Sequence, residues 1–212
     1  MDIEIQKPLL RGHIHQNAFF IALGACAILV AKSSTNLMTS ASVMYSLGML
    51  LMFGISALYH RPYWPPRQRA LMKRLDHAAI FVLIASSMTS FCIVALPGKE
   101  GIQLLTIGWI AAFLGILRSI FWVHAPKIIS ALFYLIMGWL PLPYINDFKE
   151  SLGSDRFTLI LMGGVVYTLG AVIYATKRPR LKPQFFGYHE LFHLFTIIAA
   201  SLHFIVIYQL IN

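Results

Sequence analysis

Ser56, His60, Asp76, His189 and His193 are polar side chains set among long apolar runs, where each needs a reason to be there. Ser56 and His60 are four residues apart, as are His189 and His193, so on a helix each pair projects from one face. Ionisable residues inside a bilayer are costly, face the interior of a helix bundle and commonly do chemistry or carry ions. Three histidines and a carboxylate are also ligand types that zinc prefers. The residues therefore point to a membrane-embedded zinc (Zn2+) site held by His60, His189 and His193. Three protein ligands with a fourth position left for water is the usual catalytic arrangement, whereas structural zinc is closed by four residues. Water on zinc becomes acidic near neutral pH. Asp76 is then the candidate to orient that water or take its proton, and Ser56 to hydrogen-bond Asp76, the water or a substrate carbonyl. The plainer alternative is that these groups are interhelical hydrogen bonds. A lone histidine favours that alternative; three histidines and an aspartate at one depth favour a metal.

The elements that must position these groups follow from hydropathy. Of the 212 residues, 58% are hydrophobic and 12% charged, with a mean hydropathy of +0.71. Soluble domains are closer to about a quarter charged. A spanning helix needs about 20 mostly apolar residues. Seven such runs are present, at approximately 15–31, 39–59, 75–96, 101–121, 127–144, 157–175 and 185–211. The expected fold is an all-α, polytopic seven-transmembrane helix bundle forming a single domain over 1–212. Breaks fall at Lys32–Asn36, Pro97–Gly101, Pro141 with Pro143, and Lys177–Pro183. No cleavable signal peptide is visible at the start.

Orientation follows from the 17 lysines and arginines: thirteen, from Lys7 and Arg11 through the 61–74, 118–127 and 177–182 stretches, fall on one side, and four on the other. Positive residues stay cytoplasmic, which puts the N-terminus inside and the C-terminus outside. The net charge of +9 is read the same way, so no nucleic-acid partner is expected. With that topology His60 ends the second span, Asp76 opens the third and His189 opens the seventh, all at the cytoplasmic depth. The basic loops beside them set topology and can attract anionic headgroups. Cys26 and Cys92 lie inside apolar runs and read as small buried hydrophobes.

The other histidines suggest less. His77 points roughly 100 degrees away from Asp76 on a helix. His13, His15 and His124 are expected at the inner interface, partly solvated. His203 lies roughly 15 Å beyond His193 along the helix and reads as a packing residue. His189-Glu190-Leu191-Phe192-His193 also spells the zinc-protease pattern H-E-x-x-H, with the glutamate as base. Position 199, where the longer metzincin form needs histidine, is alanine, and no acidic residue follows Glu190. Glu190 is expected at the inner interface, solvated or paired with Lys182 or Arg180, leaving Asp76 as the base.

In combination, S-x-x-x-H at 56–60, Leu75-Asp76-His77-Ala78-Ala79-Ile80-Phe81, and H-x-x-x-H at 189–193 resemble the progestin and adiponectin receptor family. The compact length resembles its bacterial hemolysin III-type branch. The resemblance runs from Arg11 onward. It implies zinc on His60, His189 and His193, with Asp76 beside the zinc-bound water, an N-inside topology, and residence in a bacterial cell (inner) membrane. Relatives in a wider superfamily of membrane hydrolases imply a lipid amide or ester as substrate, with the bilayer itself as the other partner. The branch also implies an alternative, a non-enzymatic membrane-homeostasis, receptor-like or pore-forming (haemolytic) protein with structural zinc. One departure is that Gly12-His13-Ile14-His15-Gln16-Asn17 lacks the glutamate that many members carry near the start of the first helix.

Overall fold

A computed structural model describes residues 8–182 and 184–211; Lys7, Pro183 and the chain's extreme ends lie outside the described residues. Eight α-helices follow in order among the described residues: α1 (His13–Ala31), α2 (Asn36–His60), α3 (Pro66–Ala95), α4 (Lys99–Phe121), α5 (Lys127–Gly138), α6 (Ile145–Leu152), α7 (Ser154–Thr176) and α8 (Tyr188–Ile211). Among the described residues there is no strand, only an isolated bridge between Lys182 and Phe186. Seven segments among the described residues are long and apolar enough to cross a membrane, the fifth running from Lys127 to Leu152 through α5 and α6. The protein is a multi-pass membrane protein built as a seven-helix bundle.

Helix ends follow local chemistry. The Thr35 hydroxyl caps α2 by accepting from the Met38 backbone N–H at 3.2 Å. Pro66 occupies the first turn of α3, where a missing N–H costs nothing. From there α3 runs through Arg67–Arg74 before reaching its apolar part, about two and a half turns earlier than the expected start at Leu75. Those residues are strong helix formers, but five of the eight are polar or charged, so hydropathy does not register the segment. Asp76 consequently lies inside α3 rather than at its opening. In the fifth span, Pro141 and Pro143 end the α-helical hydrogen bonding, a 3₁₀ turn covers Leu142–Tyr144, and the amphipathic α6 completes the crossing.

The bundle is arranged around α3, whose apolar window is 67% buried against 22% for α7. Close approach of α2 to α3 depends on Gly48: a Cβ there would lie 2.6 Å from the Ser86 Cβ. Ser90 then donates across that contact to the Ala41 carbonyl at 2.7 Å. Tyr45, fully buried, ties α2 to α8 by donating to the Ala200 carbonyl. Cys26 and Cys92 are free and buried in the core. The end of α2, the first turns of α1 and α8, and the middle of the extended α3 are thereby brought to one end of the bundle.

Candidate metal centre

His60 is the last residue of α2, and its Nε2 lies 3.1 Å from the Nε2 of His189 in the first turn of α8. His193, one turn further along α8, completes the cluster; one ligand atom from each of the three rings falls within 4.8 Å of the others. Two imidazole nitrogens on one tetrahedral zinc, with bonds of about 2.0–2.1 Å, stand about 3.3 Å apart. The His60–His189 spacing of 3.1 Å is close to that value, and the third nitrogen lies within 4.8 Å of both. A single N–H···N bond between two imidazoles would give a similar distance, but it would not draw in a third ring. The cluster therefore fits a metal ion.

Asp76 is buried, with Oδ2 3.8 Å from the His60 Nε2, the atom that also faces His189, so it stands beside the cluster just beyond hydrogen-bond reach of that nitrogen. Ser56, one turn before His60, lies next to the Asp76 carboxylate. Its hydroxyl is buried and makes no hydrogen bond of normal geometry. The structure thus places all five residues singled out in the sequence in one region.

Two residues depart from expectation. His15 is not partly solvated at an interface: it is fully buried and stacks on His193, ring centroids 3.8 Å apart and planes 4° from parallel. The cause lies at Gly12, which takes a left-handed φ of 83° and packs where a Cβ would meet the His60 Cβ at 2.8 Å. Glycine lets the chain turn against the end of α2, carrying the first turn of α1 into the bundle.

Glu190 is not solvated, nor paired with Lys182 or Arg180. It is 1% exposed, forms an ion pair with Arg11, and accepts the Gly187 N–H at 2.8 Å. A glutamate in the first turn that reaches back to the N–H just before the helix is half of a capping box. Arg11 reaches it because the Leu9 and Leu10 N–H groups bond to the Gln184 and Phe185 carbonyls at 3.0 and 3.3 Å. The arginine was missed because that pairing spans nearly the whole sequence.

The remaining histidines are spread out. His13 meets Arg61 at 2.7 Å, and His124 is exposed. His203 bonds to the Ile160 carbonyl at 3.2 Å and packs edge-on against Phe91 and Tyr167, the packing role expected of it.

A largely apolar cavity of about 190 Å³ lies among α3, α5, α6, α7 and α8. Its walls include Ile80, Tyr134, Phe148, Tyr167 and His203. None of the five site residues lines it; the wall next to the histidines is Phe192, whose ring centroid is 5.9 Å from that of His193.

The fold and the cluster together define a multi-pass membrane protein with three histidines able to hold a metal ion at one end of a helix bundle. The model of the haemolysin-III related family matches residues 3–204, and the chain belongs to that family. It is 31% identical to "Hemolysin-3" of Bacillus cereus over 203 residues, covering 94% of this chain and 90% of that protein. It is likewise 31% identical to "Hemolysin-3 homolog" of Bacillus subtilis (strain 168), covering 79% and 76%. More distantly, it is 24% identical to human "Monocyte to macrophage differentiation factor", covering 78% and 68%. No solved structure matches.

Proposed function

We propose that this protein is a zinc-dependent hydrolase of a lipid amide or ester, working at the cytoplasmic side of a bacterial inner membrane as one domain over 1–212. The observation that carries the reading is the convergence of His60, His189 and His193, with the Asp76 carboxylate 3.8 Å from the His60 Nε2. The sequence-derived N-inside orientation puts that end of the bundle at the cytoplasmic face. When bound, zinc supplies Lewis-acid polarisation of a carbonyl and easier deprotonation of water.

The chain's residues supply the rest. His60, His189 and His193 hold the ion with neutral nitrogens. Asp76 receives the proton of the attacking water and returns it to the departing nitrogen or oxygen. The water oxygen bonds to the carbonyl carbon as the C–N or C–O bond breaks, giving a carboxylic acid and an amine or alcohol. Ser56, with its hydroxyl uncommitted beside Asp76, orients that carboxylate or the substrate carbonyl. The cavity beyond Phe192 accommodates an acyl chain. Glu190 has its carboxylate occupied by Arg11 and Gly187, which argues against its serving as the base of a protease.

A second reading takes its support from the cavity walls, which include none of the five site residues. In it the metal is structural, and the protein acts in membrane homeostasis, as a receptor-like module or as a pore former. The name "Hemolysin-3" carried by the Bacillus cereus relative fits the last of these.

Asp76→Asn separates the two. In vesicles containing long-chain amides and esters, the wild type should release fatty acid. Asp76→Asn should keep its zinc and lose activity by about 10²–10⁴-fold. Zinc-loaded wild type without cleavage, or a fully active Asp76→Asn, sinks the hydrolase.

A further inference from the structure

His15 is an imidazole with no exposed surface, and neither ring nitrogen makes a hydrogen bond of normal geometry, although the His193 backbone lies near the ring. Buried polar groups without partners are costly, and deeper in an apolar bundle they cost more. Several other polar residues near this end have partners: Glu190 in Arg11 and Gly187, His13 in Arg61, and Lys127 in Tyr188. His15 instead lies flat on His193 with Phe53 on another side, its ring centroid 5.2 Å away.

The stack decides what His15 can do. A metal bonded to imidazole lies in the ring plane, about 2.0–2.1 Å from the nitrogen. Parallel rings 3.8 Å apart have separate planes, so one ion cannot lie in both. His15 is therefore not a further ligand beside His193, and among the described residues the ligand cluster consists of His60, His189 and His193. His15 is nonetheless in direct contact with a member of that cluster, and its nitrogens make no hydrogen bond of normal geometry.

We infer that His15 is a binding residue for the exogenous ligand of the histidine cluster, hydrogen-bonding the oxygen or nitrogen that occupies the position the three histidines leave open. This rests on the metal reading of the cluster, but not on lipid cleavage. The stacking keeps the His193 ring in place while the nitrogen edge of His15 adds a polar contact that the three ligands do not supply.

The test uses cobalt-substituted full-length protein in detergent, with azide as the probe and the visible cobalt bands as the readout. His15→Phe keeps a flat ring on His193 and removes the nitrogens; His15→Gln restores a donor and acceptor should the phenylalanine variant not fold. Both variants should keep the metal content of the wild type. His15→Phe should bind azide about ten- to a hundred-fold more weakly, the worth of a hydrogen bond to a charged group, and His15→Gln should recover part of that loss. Unchanged azide affinity in His15→Phe overturns the proposal while leaving the metal reading intact. So does loss of metal in both variants, which would make His15 a ligand or a support of the fold. A wild type without stoichiometric metal, or one whose cobalt bands ignore azide, overturns this proposal; the first result also removes the metal reading.

Discussion

His193 and His203 sit on the same helix, ten residues apart, both within an apolar bundle, and their surroundings differ in one decisive way. Around His193 three further imidazoles converge from α1, α2 and α8, at ring-centroid distances of 3.8, 5.1 and 4.5 Å. Around His203 there is one backbone carbonyl and the edges of two aromatic rings. The second environment gives one ring nitrogen a hydrogen-bond partner, leaves Nδ1 without one, and otherwise packs the ring against aromatic edges. The first gathers more nitrogen donors than they can satisfy among themselves, an arrangement that a cation would resolve. In an apolar bundle, a histidine's meaning is thus set by how many polar groups other helices bring to it.

The comparison breaks most sharply on metal content. His60→Ala and His193→Ala should each lose most of about one zinc per chain, because removing one of three ligands leaves a site that cannot compete with water. Elemental analysis of the purified variants decides this. Stoichiometric zinc surviving either substitution would contradict the ligand set and leave His193 no different in kind from His203.

A smaller effect is expected at Glu190, which shares the first turn of α8 with His189 but has its carboxylate engaged by Arg11 and the Gly187 N–H. Glu190→Gln should keep its metal and a substantial part of the wild-type activity. It gives up the ion pair to Arg11 while an amide oxygen can still accept the Gly187 N–H. Because the Arg11 side chain is 26% exposed, water compensates part of the loss. A destabilisation of about 1–3 kcal/mol is expected, read as a fall of a few degrees in detergent melting temperature. An inactive Glu190→Gln with zinc intact, beside an active Asp76→Asn, would make Glu190 the base and move the protease reading to the front.

What was legible in the sequence divides along the same physical line. Seven crossings were readable because lipid demands long apolar runs, and Ser56, His60, Asp76, His189 and His193 stood out against that background. The N-terminal turns of α3 were not readable, since Arg67–Arg74 is helical but not apolar. Nor was α6, a short amphipathic helix behind two prolines. His15 and Arg11 could not be placed because their burial depends on Gly12 turning the chain against His60 and on the Leu9–Leu10 backbone meeting the loop before α8. Hydropathy reports which segments avoid water; it carries no information about which polar residues of different segments meet.

The smallest effect should come at His203, where the comparison began. His203→Leu removes one interhelical hydrogen bond to Ile160 and two edge contacts while keeping a side chain of similar size beside Gly163. Interhelical hydrogen bonds in membrane proteins average about 0.6 kcal/mol, so the melting temperature should fall by only a degree or two. Zinc content should stay at the wild-type level, since the residue is more than two helical turns from His193. Because His203 lines the cavity, any change in turnover should depend on the length of the acyl chain and fade with short substrates. A loss of zinc in His203→Leu comparable to that of His193→Ala would show that the two histidines are not divided by their surroundings.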